Sequence, residues 1–312
     1  MRLSRSRLLQ LAALACFLFP QVGCSGGGEA TKGPGDSSTA GKSPAVDSGV
    51  PATPDADEAK FWEEADPGDP EWGTLRLRFV LDGPAPKLPS LNMQSVDAAY
   101  CSTVPPPNEK LIVNPDNGGV KNVVVWLYNR DGDPIQAHPD YAAQATGDVF
   151  LENKNCRFEP HIRTLQTGQR LVVRNLDKVG HNTKVDLGDS GNPSFNRIVP
   201  VDGQFEEVGF TEAMRAPYPV LCTMHGWMNA HLLIQTHPYM AVSDADGRVE
   251  IKNLPPGDWT FQVWHESPGY VTEGLLNGQF VEWKRGRFTE TVKPGVQNKG
   301  KMSISRGLFE GL

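Results

Sequence analysis

Long hydrophobic runs are scarce in this 312-residue sequence. The most extended one, Leu8–Phe19, has about a dozen residues, whereas a helix that crosses a bilayer needs roughly 20. A retained transmembrane helix is therefore disfavoured. The sequence also has no long amphipathic helical pattern, and only residues 93–101 suggest a short helix.

Signatures of common enzymes are missing as well. The sequence has no G-x-S-x-G, no H-E-x-x-H, no phosphate-binding loop and no evident pair of catalytic carboxylates. Two acidic segments, Asp131–Asp133 and Asp244–Gly247, lack the remaining ligands of a calcium loop and are typical of β-turns. We therefore expect a protein that is not an enzyme.

The first residues have the pattern of an export signal. Residues 1–23 begin with three arginines, continue through the apolar run and end in Gln-Val-Gly before Cys24. A small residue followed by Cys24 resembles the bacterial lipobox, in which the cysteine is acylated, although Gln21 stands where leucine is usual. We predict a signal peptide at residues 1–23 and an exported periplasmic or cell-envelope lipoprotein that is anchored to a membrane through Cys24. Ordinary export without a lipid is the alternative.

Large apolar side chains are almost absent from the next segment. Residues 24–70 consist mainly of Gly, Ser, Pro, Ala, Asp and Glu, which predicts a disordered, flexible linker. Loss of residues 1–23 leaves 27 basic and 37 acidic residues, a net charge of −10. This charge argues against nucleic acid as a partner.

The remainder of the sequence predicts an all-β protein. Leu75, Leu77 and Phe79 alternate with arginines, as in a strand that is buried on one face. Further strands are predicted from apolar or alternating segments that Gly, Pro, Asn and Asp separate at short intervals. These strands are 123–127, 170–174, 232–234 and 260–264. A β-sandwich is the architecture that fits this pattern.

Two distant segments resemble one known module. G-T-L-R-L-R-F-V-L-D-G and N-V-V-V-W-L-Y, together with the later D-A-D-G and L-P-P-G-D-W turns, resemble the carboxypeptidase-regulatory, transthyretin-like sandwich. The resemblance implies a discontinuous domain formed by residues 71–139 and 237–306. Residues 140–236 would then be an inserted domain, since a segment of this length can form its own core.

Cysteine is also scarce. Of the five cysteines, Cys16 is lost with the signal and Cys24 is the predicted lipid acceptor. Cys101, Cys156 and Cys222 remain, and an odd number in an oxidising compartment leaves one thiol without a partner. The neighbours of Cys222 make it the candidate for another role.

The segment after Cys222 carries the residue types of a metal loop. Tyr218, Val220 and Cys222 lie on one face of a predicted strand, so the thiol lies where that strand ends. His225 and Met228 follow at intervals of three residues. A thiolate, a neutral imidazole and a thioether are ligands that copper prefers.

His181 supplies a second imidazole. It follows the predicted strand at 170–174, in a segment rich in turn-forming residues, which places it in a loop that could meet the loop of Cys222 at one end of the sandwich. Two histidines, a cysteine and a distant methionine fit the ligand set of type 1 copper.

With these residues the sequence resembles the cupredoxins, or blue copper proteins. Cys222, His225 and Met228 match the short C-x-x-H-x-x-M loop of the amicyanin type, over a resemblance that spans residues 150–236. The resemblance implies a Greek-key β-sandwich with type 1 copper held by His181, Cys222, His225 and Met228. Gly226 departs from the family, since amicyanin has proline there.

The resemblance also implies roles for neighbouring residues. Asn182 would hydrogen-bond to Thr223 and so fix the two loops relative to each other. Met224 and Trp227, with Met228, would form an apolar collar around an exposed edge of His225, where electrons enter and leave.

The other cysteines and histidines have simpler interpretations. Cys156 and His161 precede a strand and could join the metal, but a disulfide between Cys101 and Cys156 is the simpler hypothesis. It would close a loop of some 56 residues and stabilise the fold by roughly 4 kcal/mol. We interpret four further histidines as structural or surface residues. They are His161, His231, His237 and His265.

These features lead to one main hypothesis and two alternatives. The main hypothesis is an exported type 1 copper protein that carries single electrons between redox proteins, such as a c-type cytochrome or a dehydrogenase, by transient docking. The first alternative is a metal-free or copper-storing lipoprotein that acts as a binding module of the cell envelope. The second is an enzyme with an open copper position.

Overall fold

The computed structural model describes residues 56–63, 68–129 and 132–312 and confirms the all-β prediction. Nineteen strands lie in these ranges. They are β1 Gly73–Asp82, β2 Val124–Leu127, β3 Asp148–Lys154, β4 Arg157–Glu159, β5 Ile162–Gln166, β6 Arg170–Asn175, β7 His181–Val185, β8 Phe195–Val199, β9 Gln204–Glu207, β10 Tyr218–Leu221, β11 Asn229–Gln235, β12 Met240–Val242, β13 Arg248–Leu254, β14 Gly257–His265, β15 Gly269–Tyr270, β16 Glu273–Leu276, β17 Gln279–Glu282, β18 Arg287–Val292 and β19 Gly295–Ser305.

Helices are few and short. The α-helices in the described ranges are α1 Ala56–Glu63, α2 Ala98–Cys101 and α3 Pro139–Ala142, and 3-10 turns cover Lys284–Gly286 and Arg306–Phe309. None of the described helices is long and apolar enough to span a bilayer. Helix α2 falls within the segment that the sequence predicted as a short helix.

Two sheets enclose the first hydrophobic cluster. One has the strand order β13-β1-β19-β16-β17, and the other has the order β12-β2-β14-β15 with β18 also paired to β14. Leu75, Leu77 and Phe79 of β1 are fully buried and share this cluster with Val125 and Phe261 of the facing sheet. The period-two pattern that predicted β1 therefore corresponds to its core-facing side.

The other face of β1 differs from the prediction. The arginines that alternate with the apolar residues were expected in solvent, but Arg76 and Arg78 are also buried. Arg76 forms an ion pair with Glu250 and lies over the ring of Phe61, which belongs to α1. Arg78 donates to the carbonyl oxygens of Asp246 and Asn117. Guanidinium groups tolerate this burial because most of their donors are paired, although Nε of Arg76 has no hydrogen-bond partner among the described residues.

Two further sheets enclose the second hydrophobic cluster. Their strand orders are β5-β11-β10-β7-β8 and β4-β3-β6-β9. Most strand pairs are antiparallel, but β3 pairs with β6 and β5 pairs with β11 in parallel. Leu151 and Leu171 from one sheet and Val220 and Leu232 from the other contribute to the shared core.

The two pairs of sheets also share buried side chains. Val124 and Trp126 of β2 and Trp264 of β14 belong to the second cluster, whereas Val125 between the first two belongs to the first cluster. Successive residues of a strand point to opposite faces. The sheet that contains β2 and β14 is therefore buried on both sides.

The N-terminal predictions are described only in part. The signal peptide at 1–23 and Cys24 lie outside the described residues. Within the range predicted as a linker, Ala56–Glu63 form α1. The guanidinium groups of Arg76 and Arg248 lie over the ring of Phe61 and hold this helix against the sheet. The domain bounds at 71–139, 140–236 and 237–306 stay a prediction.

Candidate metal centre

The three strongest candidate ligands lie at the ends of adjacent strands. Strand β10 ends at Leu221, and Cys222 is the next residue. His225 lies in the loop that leads to β11. His181 was predicted in a loop, but it is the first residue of β7, which pairs with β10 and so brings His181 to the same end of the sheet.

The donor atoms of these residues converge inside the protein. His181 Nδ1 lies 2.9 Å from His225 Nδ1, and Cys222 Sγ lies 3.8 Å from His225 Nδ1. One donor atom from each of the three residues lies within 4.8 Å of the others, so a single ion could contact all three. His181 and His225 are fully buried, and Cys222 is a free cysteine that is also buried.

The loop from Cys222 to Met228 is tightly closed. The backbone N–H of Cys222 donates to the carbonyl of Met228, and the N–H of Met228 donates to the carbonyl of His225. Met228 is buried in the same hydrophobic cluster as Cys222. These bonds bring the backbone of Met228 back beside Cys222 at the start of the loop.

Asn182 joins this loop to β7. Its side-chain oxygen accepts hydrogen bonds from Thr223 N at 2.8 Å, Thr223 Oγ1 at 3.1 Å and Met224 N at 3.2 Å. Its own backbone N–H points to Cys222 Sγ at 3.5 Å. The residue beside His181 thus fixes the position of the loop that carries Cys222 and His225.

Carboxylates contact the outer nitrogens of both histidines, and the sequence reasoning missed them. Asp177 Oδ2 lies 2.9 Å from His181 Nε2, and Asp97 Oδ2 lies 3.0 Å from His225 Nε2. Asp177 lies four residues before His181, and this short separation in the sequence could have indicated the contact. Asp97 is 128 residues from His225, and no sequence pattern connects the two.

The contact with Asp97 corrects one expectation. His225 was expected to present an exposed edge within an apolar collar, but its ring is fully buried and Asp97 covers Nε2. Trp227 is buried too, in the second hydrophobic cluster, and its indole N–H donates to the carbonyl of Cys156. Met224 is 47 % exposed and lies close to Gly180.

The buried groups shift one another's ionisation. Burial opposes the charged forms of both Cys222 and His181. The neighbouring His181 and backbone amides outweigh burial at Cys222 and lower the pKa of its thiol, whereas Asp177 and the neighbouring Cys222 outweigh burial at His181 and raise the pKa of its ring. Burial and the charge of His181 lower the pKa of His225, although Asp97 opposes this shift. The shift at Cys222 is in the direction of a thiolate, and the shift at His225 is in the direction of a neutral ring.

Among the described residues, further cysteines and histidines have other partners. Cys101 and Cys156 form a disulfide with a Cα–Cα distance of 5.5 Å, so neither sulfur is a free ligand. His237 donates from Nε2 to the carbonyl of Leu127 and accepts at Nδ1 from the backbone N–H of Tyr239. His265 packs against Phe309. His161 and His231 lie near each other, with ring centroids 5.9 Å apart.

The fold and this site define a class: an all-β protein with a buried cluster of one free cysteine and two histidines, which are ligands for soft or borderline metal ions. Comparison with known sequence families finds no match, and neither does comparison with curated proteins.

Among solved structures, the chain is similar to an oxidised proline-to-glycine mutant of amicyanin, with 19 % identity, coverage of 36 % of this chain and 98 % of that chain, and a TM-score of 0.26. A reduced tryptophan-to-tyrosine mutant of amicyanin gives the same values. A copper-containing nitrite reductase from Thermus scotoductus SA-01 has 14 % identity, with coverage of 35 % of this chain and 25 % of that chain and a TM-score of 0.25.

Proposed function

We propose that the protein binds one copper ion between His181, Cys222 and His225, with Met228 as a weak fourth ligand, and carries single electrons between redox proteins outside the cytoplasm. Bound copper would supply one-electron chemistry between Cu(I) and Cu(II). The residues fit this ion because a thiolate and two imidazoles, without a further thiolate, are typical of type 1 copper rather than structural zinc.

The observation that carries the proposal is the approach of the two Nδ1 atoms to 2.9 Å. Each Nε2 already faces a carboxylate, which accepts a hydrogen bond and so favours the proton on Nε2. Two nitrogen lone pairs then face each other beside a thiol sulfur. Such an arrangement requires a shared proton or a cation between the donors.

The surrounding residues hold the donors in place. Asp177 orients the ring of His181 and itself accepts bonds from the backbone N–H groups of Asn155 and Cys156. Asn182 keeps the loop of Cys222 against β7. Donors that are fixed in this way need little movement when the charge of a bound ion changes, which favours rapid electron exchange.

The exposed residues near the centre support a docking role. Met224 is 47 % exposed in the ligand loop, and Leu176, which precedes Asp177, is 48 % exposed. Exposed apolar side chains near the centre suit a brief encounter with a redox protein such as a c-type cytochrome or a dehydrogenase. Attachment to a membrane through Cys24 would keep the protein near such partners.

A copper-storing module is the second candidate, because Asp97 covers the outer edge of His225 and leaves no part of that ring exposed. A carrier should exchange electrons rapidly with a small oxidant such as ferricyanide. A storage protein should react slowly with the oxidant but release Cu(I) to a chelator.

Loading with Cu(II) tests copper binding. We expect an intense visible charge-transfer band from the thiolate of Cys222, and reversible one-electron cycling. His181→Ala and Cys222→Ser should each abolish the band, whereas Met228→Ala should shift it. Met214→Ala is the matched control, since Met214 is buried in the same hydrophobic cluster, and it should leave the band unchanged.

Two results would contradict the proposal. Loaded protein with reduced Cys222 and no visible band would favour a binding module. Binding of azide to the loaded protein, seen as a new absorption band, would favour an enzyme with an open copper position.

A further inference from the structure

A second cluster of potential metal ligands lies where the two pairs of sheets meet. His161 precedes β5 and His231 lies in β11, so both belong to the second pair of sheets. Glu266 follows β14 of the first pair, and Glu109 lies in the segment before β2. The four side chains therefore come from four separate parts of the chain.

The distances bring three of these residues into reach of one ion. His161 Nε2 lies 2.7 Å from Glu266 Oε1, and His231 Nδ1 lies 3.9 Å from Glu266 Oε2. One donor atom each from His161, His231 and Glu266 lies within 4.8 Å of the others. A hydrogen bond also connects the strands, because the backbone N–H of His231 donates to the carbonyl of His161.

The cluster is buried but incompletely bonded. The side chain of His161 is 2 % exposed, that of Glu266 is 8 % exposed, and that of His231 is 13 % exposed. Nδ1 of His231 is buried and has no hydrogen-bond partner among the described residues. A buried polar atom without a partner costs roughly 1–3 kcal/mol. We therefore expect a bound group that satisfies this nitrogen.

We propose that His161 Nε2, His231 Nδ1 and a carboxylate oxygen of Glu266 form a second metal site for a divalent ion of borderline softness, of the class of Zn²⁺. Two imidazoles and one carboxylate are a recurrent zinc ligand set that leaves a coordination position open. This donor set contains no sulfur, which separates its preference from that of the cluster around Cys222.

Glu109 completes the arrangement as an outer partner. Its Oε2 lies 3.4 Å from Nδ1 of His161, without the direction of a good hydrogen bond. A histidine that binds a metal through one nitrogen usually donates its other N–H to a carboxylate. Glu109 can thus orient His161 for binding through Nε2.

The metal-free protein has an alternative state, in which His161 is protonated between the two carboxylates. Burial opposes that charge, but Glu109 and Glu266 outweigh it and raise the pKa of His161 to about 9. A metal ion has to displace this proton. Burial lowers the pKa of His231 to about 4, so its ring is neutral and can donate a lone pair at neutral pH.

A solvent cleft adjoins one side of the cluster. Glu109 and His161 line this cleft of about 520 Å³ together with Arg157, Arg163 and other polar residues, whereas His231 and Glu266 lie behind it. An ion could reach the cluster from the side of His161.

Calorimetric titration with Zn²⁺ tests the site in the full chain that carries Cys222→Ser, which removes the thiolate of the first cluster. We expect one equivalent of Zn²⁺ to bind. Addition of His231→Gln or Glu266→Gln should weaken this binding more than 100-fold, and Glu109→Gln should weaken it about 10–100-fold, as for other outer partners. His237→Gln, at another buried histidine, should leave the affinity unchanged.

Two outcomes would overturn the site. Absence of stoichiometric Zn²⁺ binding in the Cys222→Ser chain would leave only an ion pair at His161. Unchanged affinity in a His231→Gln chain, folded by circular dichroism, would place the bound ion elsewhere. Glu266→Asp serves if Glu266→Gln fails to fold, and its shorter side chain should weaken binding without changing the charge. Neither outcome bears on copper binding, which is read from the visible band of the unmodified chain.

Discussion

At the scale of single residues, Asn182 contributes more to the candidate copper centre than its size suggests. One carboxamide oxygen satisfies two backbone N–H groups and a hydroxyl of the ligand loop, and its amide nitrogen donates to Asn196. The side chain thus connects the strand of His181 with the loop of Cys222.

We predict that Asn182→Ala lowers the free energy of unfolding of the metal-free protein by about 1–3 kcal/mol, because it leaves the two loop N–H groups without an acceptor. It should also weaken copper binding. Urea unfolding and a copper titration measure both effects. Asn196→Ala, which removes only the exposed partner of the same amide, should cost less than about 0.5 kcal/mol; equal costs for the two variants would show that the loop contacts contribute nothing.

A second residue-scale prediction concerns pH. Burial lowers the pKa of His237 to about 4, against an ordinary value near 6.5 in the unfolded chain. As the pH falls from 6.5 towards 4, the unfolded state binds a proton that the folded state does not, so stability is lost in this window and is fully present above it. His237→Gln should flatten the dependence of unfolding free energy on pH there by at most about 1.4 kcal/mol per pH unit. Urea unfolding at several pH values checks this, and an unchanged slope would contradict it.

The comparison between sequence and structure is clearest at these residues. Spacing nominated Cys222 and His225, and the position after a predicted strand nominated His181. The structure brings the three together, because side chains at strand ends and in a short loop are confined to one place. Spacing could not identify Asp97 or Glu266. Their contacts depend on how distant segments pack, and an isolated carboxylate has no distinctive sequence pattern.

At the scale of elements, the short helix α2 is held over the candidate copper centre. Asp97 immediately precedes α2 and contacts His225, and Cys101 at the end of α2 is joined to Cys156. Asp177 adds to this connection, because it accepts from the N–H of Cys156 and contacts His181. The disulfide thus connects the segment of Asp97, which contacts His225, to the segment that is hydrogen-bonded to Asp177, which contacts His181.

We predict that a Cys101→Ala, Cys156→Ala double variant loses about 4 kcal/mol of unfolding free energy, as expected for opening a loop of 55 residues. The freed α2 should also expose Nε2 of His225 and speed oxidation of the copper-loaded protein by ferricyanide. Cys222→Ser breaks no cross-link and controls for the loss of a buried sulfur in the unfolding measurement. A double variant as stable as the wild type would rule out a structural role for the disulfide.

The strands show the same limit on prediction as the site. The alternation in β1 predicted its core face correctly, but a period of two says nothing about what covers the second face. Arg76 and Arg78 are buried because α1 and the turn at Asp246 lie over them. The charge of these arginines therefore suggested a solvent-exposed face, whereas in the fold their side chains are buried against polar partners.

At the scale of the whole molecule, one sheet serves both hydrophobic clusters. Val125 faces the first cluster and Trp126 the second, so the sheet that contains β2 cannot lose one neighbour without exposing apolar side chains. The described residues from 56 onwards form one compact unit. Cooperative unfolding of the two pairs of sheets is the expected consequence.

We predict a single calorimetric transition for the wild-type chain and two transitions for Trp126→Ala. Trp126 is 1 % exposed, and its loss should cost about 3–5 kcal/mol and weaken the contact through which the two clusters stabilise each other.

Trp259→Ala is the matched control. Trp259 lies in β14 of the same sheet but packs against the first cluster only, so its loss should lower stability while keeping one transition. The measured quantity is the ratio of calorimetric to van't Hoff enthalpy, which should be near one for the wild type and clearly above one for Trp126→Ala. Two transitions already present in the wild type would mean that the shared sheet does not couple the clusters.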